Sequence, residues 1–225
     1  MANPYVAFVT GGNNEEFPNG SNTFELIQLD VTSEESIQKA YEQIIKSPGR
    51  LDALVNNAGT YSCLPLPSRE CFNKANVTGA TVLTHTLAPL LIKSSDPRLL
   101  FIAGLSMMAV AMKKYFPTPP LPAGWPKKAD FATIGHRCSK TALNMLMLDW
   151  DHKLKADAVK VWAVGPGMLE TDLSGQRELA KKMEAGLASL GGTLIRDVGE
   201  GARDKDVGRV IQRDGDGFVP LLTMT

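Results

Sequence analysis

Leu51-Asp-Ala-Leu-Val55 runs directly into Asn56-Asn57-Ala58-Gly59. A short apolar run bounded by Gly49 and by an Asn/Gly turn predicts a strand buried on both faces. Upstream, Glu34–Lys46 repeats apolar residues at Ile37, Ala40, Tyr41, Ile44 and Ile45, the stripe of a helix packed on one side. Thr32-Ser-Glu-Glu35 reads as its capping box, with Thr32 or Ser33 as N-cap, and Ser47-Pro-Gly49 ends it. Further upstream, Tyr5-Val-Ala-Phe-Val-Thr10 predicts another buried strand, running into Gly11-Gly12, and Phe24–Val31 a third. Downstream, a helix over Ala80–Lys93 leads to the strand Arg98-Leu-Leu-Phe-Ile102 and its end Ala103-Gly104-Leu-Ser106. A long helix then precedes the strand Ala158-Val-Lys-Val-Trp-Ala-Val164 and the turn Gly165-Pro-Gly167. Leu173–Leu190 reads as helices of a substrate loop, Glu200–Ile211 as helical, and Gly217–Leu222 as a closing strand. Buried strands alternating with helices specify an α/β protein with a parallel sheet, whose ligands sit at the carboxyl ends of the strands.

Composition agrees with one domain over 1–225, having 44% hydrophobic and 21% charged residues. Lys+Arg and Asp+Glu are equal at 24, which gives no reason to expect nucleic acid or an anionic membrane as partner. No apolar run approaches the roughly 18–20 residues needed to span a bilayer, and no signal-peptide pattern opens the chain. Cys63, Cys71 and Cys138 lack metal-ligand spacing and cannot all pair, so no metal is expected and reduced thiols of a cytoplasmic protein are. Asn76-Val-Thr78 is formally a glycosylation sequon, expected to be idle.

One interval does not fit. About thirteen residues separate the first strand from Phe24, whereas a parallel crossover alone needs about a dozen or more. Either the protein lacks its first crossover, or residues are missing from the chain near 13–15, with a second shortening near 75. In the second case the absence of further glycines is no evidence of lost cofactor binding.

These motifs, in this order, resemble the short-chain dehydrogenase/reductase family, whose fold is a Rossmann-type doubly wound parallel sheet. The resemblance rests on Thr10-Gly11, Asn56-Asn57-Ala58-Gly59, the Asn76-Val-Thr-Gly79 segment, Lys140, and Pro166-Gly167 with Thr171. It implies that Thr10, Gly11, Gly12, Asn57, Ala58 and Gly59 line a dinucleotide. It implies also that Lys140 holds the ribose, that Asn76 kinks a helix near it, and that Pro166, Gly167 and Thr171 line the nicotinamide. The chain departs from the family where the chemistry is done. Phe131-Ala-Thr-Ile-Gly-His136-Arg-Cys-Ser-Lys140 has His136 where the family has tyrosine, and Gly104 stands where it has the catalytic serine, with Ser106 as a fallback. Glu15 and Phe17 occupy later glycine positions.

Losing one donor to a developing oxyanion costs on the order of 3–4 kcal/mol, and two are missing. His136 could act as the acid, although a histidinium beside Lys140 is disfavoured by like charge. An iminium acceptor removes the difficulty, since hydride addition generates no anion, and Asp130 could balance its charge. This combination is similar to the fungal reductase/Diels–Alderase members that act in prenylated indole alkaloid biosynthesis. It implies NADP(H)-dependent reduction of an iminium or zwitterion, coupled to cyclisation. The alternatives are an ordinary carbonyl reductase with His136 in place of tyrosine, and a non-catalytic scaffold. Met107–Lys128, rich in Pro, Met and aromatics, reads as a wall for a bulky apolar substrate or as a homo-oligomer contact.

Overall fold

The computed structural model describes residues 4–12, 25–60, 73–104, 123–125, 134–171, 173, 177–182 and 185–213. Five strands form one sheet: β1 (Ala7–Val9), β2 (Ala53–Asn56), β3 (Arg98–Ile102), β4 (Lys160–Gly165) and β5 (Val210–Gln212). They lie in sequence order, and each neighbouring pair is parallel. The helices are α1 (Glu34–Lys46), α2 (Ala80–Leu91), α3 (Ile134–Leu154), α4 (Arg177–Lys182) and α5 (Ala188–Gly199).

The pleat divides the core in two. Leu54, Leu99, Phe101, Val161 and Ala163 point to one face, where they meet Ile37 and Ile44 of α1, Leu83 and Leu87 of α2, and Leu143 and Met147 of α3. Val55, Leu100, Ile102, Trp162 and Val164 point to the other, against Leu194 and Val198 of α5. Consecutive apolar residues in β3 are therefore all buried because both faces are covered. This is the doubly wound α/β arrangement expected from the sequence.

At the amino ends of the strands, opposite the site, Arg98 is 3% exposed. It reaches Asp96 and Asp204 at 2.6 Å each, donates to Val198 O at 2.9 Å, and lies over the Trp162 ring. A buried guanidinium is tolerated only when paired with carboxylates, as here through its two terminal nitrogens. The hydrogen bond from Arg98 holds the Asp204 carboxyl down at about 2.

Three local expectations are corrected. Glu25–Asp30, the described part of the expected strand at Phe24–Val31, joins no ladder. Ile27 and Leu29 pack on the core from outside the sheet, while Leu26 is exposed. The short connection from β1 does not bring this segment alongside as a parallel neighbour. Over 200–211 the chain is not helical, but turns through the 3₁₀ segment Asp204–Asp206 into β5; the helix lies earlier, as α5. The α1 cap is Ser33, accepting from Ser36 N at 3.2 Å, and Ser36 Oγ accepts from Asp30 N at 2.9 Å. Glu35 is not the closing residue of that box; it pairs with Lys39 at 2.7 Å.

The expected strand at 217–222, the join at 13–15, Cys63 and Cys71 lie outside the described residues. So does the Met107–Lys128 insertion apart from 123–125, where Trp125 is exposed. Around residue 75 the chain forms a π-helical turn, Lys74–Gly79. Among the described residues no helix is long and apolar enough to cross a membrane.

Candidate active site

Because all strands run the same way, the loops that leave their carboxyl ends share one edge of the sheet. These are Thr10–Gly12 after β1, Asn57–Gly59 after β2, Ala103-Gly104 after β3 and Pro166-Gly167 after β4.

Thr10 locks the first two together. Its Oγ1 accepts from Asn57 N at 3.0 Å and Ala58 N at 2.9 Å, and donates to Val55 O at 3.3 Å. Asn57 Nδ2 donates back to Thr10 O at 2.8 Å. Gly11 follows at φ +77°, where a Cβ would sit 2.8 Å from Ala58 Cα. Gly11 is thus demanded by the neighbouring loop as well as by its own conformation. Around Gly12 a Cβ would meet nothing within 4 Å.

Asn76 joins the second loop to α3. The π-helical turn Lys74–Gly79 carries it inward, leaving it 1% exposed. A π turn adds a residue and re-aims the side chains around it. Thr60 N donates to Asn76 Oδ1 at 2.7 Å. Asn76 Nδ2 donates to Thr60 O at 3.0 Å and to Ser139 Oγ at 2.9 Å, and Ser139 Oγ donates to His136 O at 2.8 Å. At Gly59 a Cβ would press within 2.8 Å of Asn76 Oδ1. Such burial removes Asn76 as a glycosylation site.

His136, Lys140 and Asn144 follow one another at i, i+4 and i+8 on α3, one side of the helix. Lys140 Nζ donates to Ile102 O at 2.6 Å, and Asn144 Nδ2 to Gly104 O at 3.2 Å. Asn144 Oδ1 is buried with no hydrogen-bond partner among the described residues. Asn144 escaped the sequence reading, although its spacing from Lys140 was the available signal. Burial lowers the Lys140 ammonium to about 8. His136 is lowered to about 4, first by burial and then by the charge of Lys140, with a hydrogen bond to the Thr60 backbone opposing. The imidazole is therefore neutral near pH 7. A Cβ built on Gly104 meets nothing within 4 Å among the described residues.

On the β4 side, Gly165 lies against Gly104, where a Cβ would be 3.3 Å from Gly104 Cα. Pro166 and Leu169 pack on Gly191 of α5, Leu169 bridges to Gly186, and Thr171 N donates to Leu169 O at 2.9 Å. Thr171 is half-buried. Asp130 and Ser106 lie outside the described residues. Among the described residues no group of three or more His, Cys, Asp or Glu is placed to hold a metal, and Cys138 is an exposed free thiol.

The lowered His136 sets an acid limit on stability. The unfolded chain takes up this proton near pH 6.5 and the folded one only near 4, so stability falls as pH drops through that window. The loss is at most about 3 kcal/mol, less what residual exposure screens. Urea unfolding at pH 7 and 4.5 is expected to show it, and His136→Gln to remove it.

The family model for short chain dehydrogenase matches residues 11–115. The short-chain dehydrogenase/reductase tropE of Talaromyces stipitatus is 43% identical over 208 residues, which cover 89% of this chain and 78% of the relative. The short-chain dehydrogenase/reductase eupG of Phoma sp. is 37% identical over 206 residues, covering 84% and 74%. Among solved structures, an NADPH-bound carbonyl reductase from chicken fatty liver superposes with a TM-score of 0.66 at 20% identity, covering 86% of this chain and 76% of that one. Identity at this level over most of both chains shows the family: the chain belongs to the short-chain dehydrogenase/reductase family of oxidoreductases.

Proposed function

We propose that this chain is a cytoplasmic, NADP(H)-using reductase of secondary metabolism whose acceptor is a bulky, apolar iminium or zwitterionic alkaloid intermediate. One observation carries the reading: Gly104 and His136 stand at the two oxygen-directed donor positions while the lysine remains. Among the described residues nothing fills the place beside Gly104. His136 at about 4 is protonated in roughly one molecule in a thousand at pH 7, so it is a poor proton source for an alkoxide. An iminium needs no such proton.

The residues present fit the nicotinamide end of the cofactor. The enclosed ammonium of Lys140 lies beside the end of β3, Asn144 carries an unmatched buried oxygen, and Pro166-Gly167 forms a fixed loop across from them. When bound, the reduced nicotinamide supplies the hydride. Lys140 holds the ribose hydroxyls, while Asn76 and Ser139 fix the start of α3, and with it His136 and Lys140. Pro166, Gly167 and Thr171 border the ring, and Thr10–Gly12 with Asn57–Gly59 form the floor. Asp130, six residues before His136 in sequence, supplies the carboxylate that balances the cation. The NADP-bound short-chain dehydrogenase of Burkholderia cenocepacia and the chicken enzyme support the choice of NADPH, and the fungal relatives tropE and eupG the biosynthetic setting. A coupled Diels–Alder cyclisation would ask only for positioning.

The test is NADPH oxidation with a cyclic iminium and with matched ketones, followed by product analysis for reduced and cyclised forms. Turnover with the iminium alone is expected. Turnover with ketones alone would favour the carbonyl-reductase reading, in which His136 replaces tyrosine, and overturn this one. Turnover with neither, together with no nicotinamide binding, would favour the scaffold reading. The double substitution Gly104→Ser/His136→Tyr returns both donors. It is expected to raise ketone reduction by about a hundredfold or more and leave iminium reduction within about threefold.

A further inference from the structure

β3 outruns its neighbour β2, whose last residue, Asn56, lies level with Phe101. Past that point Ala103 N turns to β4, donating to Val164 O at 2.9 Å. The carbonyls of Ile102 and Gly104 are met by side chains of α3: Lys140 Nζ donates to Ile102 O at 2.6 Å, and Asn144 Nδ2 to Gly104 O at 3.2 Å. The two spacings match, since four residues of helix and two of extended chain both advance roughly 6–7 Å. Leu143 and Met147, 2% and 0% exposed, hold this part of α3 in the core, so the Asn144 amide has a set reach. Gly104 also lies against Gly165, where a Cβ would stand 3.3 Å from Gly104 Cα, and Pro166-Gly167 follows directly. Gly104 therefore touches both Asn144 and the start of the loop after β4.

Fold stability does not explain an asparagine here. Asn144 is 7% exposed, and its Oδ1 is buried without a hydrogen-bond partner among the described residues. A buried acceptor left unmatched is a cost that an apolar side chain of the same shape avoids. We infer that Asn144 is a positioning residue: acting through the Gly104 carbonyl, it fixes the spacing between Lys140 and the loop after β4, and with it the seat of the hydride acceptor. The inference rests on the reductase reading above and deepens it. In that reading Lys140 holds the ribose and Pro166-Gly167 borders the nicotinamide, so a change in their spacing misaligns the reacting carbons while every contact to the cofactor remains. A displacement of about 1 Å at such a site costs on the order of a hundredfold in rate.

Asn144→Leu in the full chain tests this, because leucine keeps the branched shape and removes both polar atoms. Three quantities are compared with wild type: the single-turnover rate of NADPH oxidation by a saturating acceptor, the Kd of NADPH by calorimetry, and the melting temperature. The rate is expected to fall at least about tenfold, with the Kd within about threefold and the melting temperature lowered by no more than about 5 °C. A smaller fall in rate would overturn the inference and leave the reductase reading standing. So would a fall accompanied by weaker cofactor binding or a lower melting temperature than those limits, since affinity or folding would then account for it. Should the leucine variant fail to fold, Asn144→Gln, which keeps the amide one methylene further out, is read by the same criteria. A wild-type chain that oxidises NADPH with neither a cyclic iminium nor a ketone would overturn both the inference and the reductase reading.

Discussion

Lys140→Met is expected to lower turnover by at least about a hundredfold, while the melting temperature stays level or rises. The two readouts move apart because the ammonium costs the fold something. Burial holds its pKa at about 8, well below the usual lysine value, so the charged form is less at ease in the folded chain than in the unfolded one. Methionine keeps most of the stem's volume and needs no solvation. Against this gain stands the lost hydrogen bond to Ile102 O. Spectrophotometric NADPH oxidation beside a thermal melt makes the measurement. Unchanged turnover would remove Lys140 from the site. The same lowered pKa has a further consequence in the wild-type chain. Any step that uses the ammonium weakens as pH rises through about 8. Fold stability instead rises between there and the ordinary lysine range, where the unfolded chain still binds the proton.

Asn76→Ala is expected to cost about 3 kcal/mol of stability. Asn76 is buried, and its amide is the shared partner of Thr60 N, Thr60 O and Ser139 Oγ. Alanine removes three hydrogen bonds at once, and each lost partner of a buried or half-buried group costs on the order of 1–3 kcal/mol at most, not additively. Aspartate in its place keeps the acceptor but sets a carboxylate against the Thr60 carbonyl, so it is expected to be no better. Equilibrium urea unfolding measures the difference. A loss under about 1 kcal/mol would mean that the loop after β2 and the start of α3 find other partners. The site is expected to suffer with the fold, because Asn76 ties Ser139, and through it the His136 backbone, to the loop after β2.

Much of the fold was legible because its signals are local. The runs at 51–55, 98–102 and 158–164 read as strands from apolar continuity, and their ends read as turns from Asn, Gly and Pro. The helix at 34–46 read from its stripe of five apolar residues, though which serine caps it depended on where Asp30 fell. Ile27 and Leu29 misled because apolar residues report that side chains are covered, not that the backbone has a neighbour to bond. The 200–211 segment misled because Asp204 is drawn under the sheet by Arg98, a partner far away in sequence. Of the site, Lys140, Asn76 and the Asn57–Gly59 turn were legible by pattern, whereas Asn144 was hidden in a helix that offers many polar positions.

The sequence alone determined the parallel α/β architecture, the positions of its loops and the identity of Gly104 and His136 at the places they occupy, since these follow from residue type and short-range period. The tertiary structure alone decided that Gly11 is pinned by Ala58. It decided too that burial and Lys140 together keep His136 neutral. Those are properties of distance between segments remote along the chain, and they exist only once packing has brought the segments together.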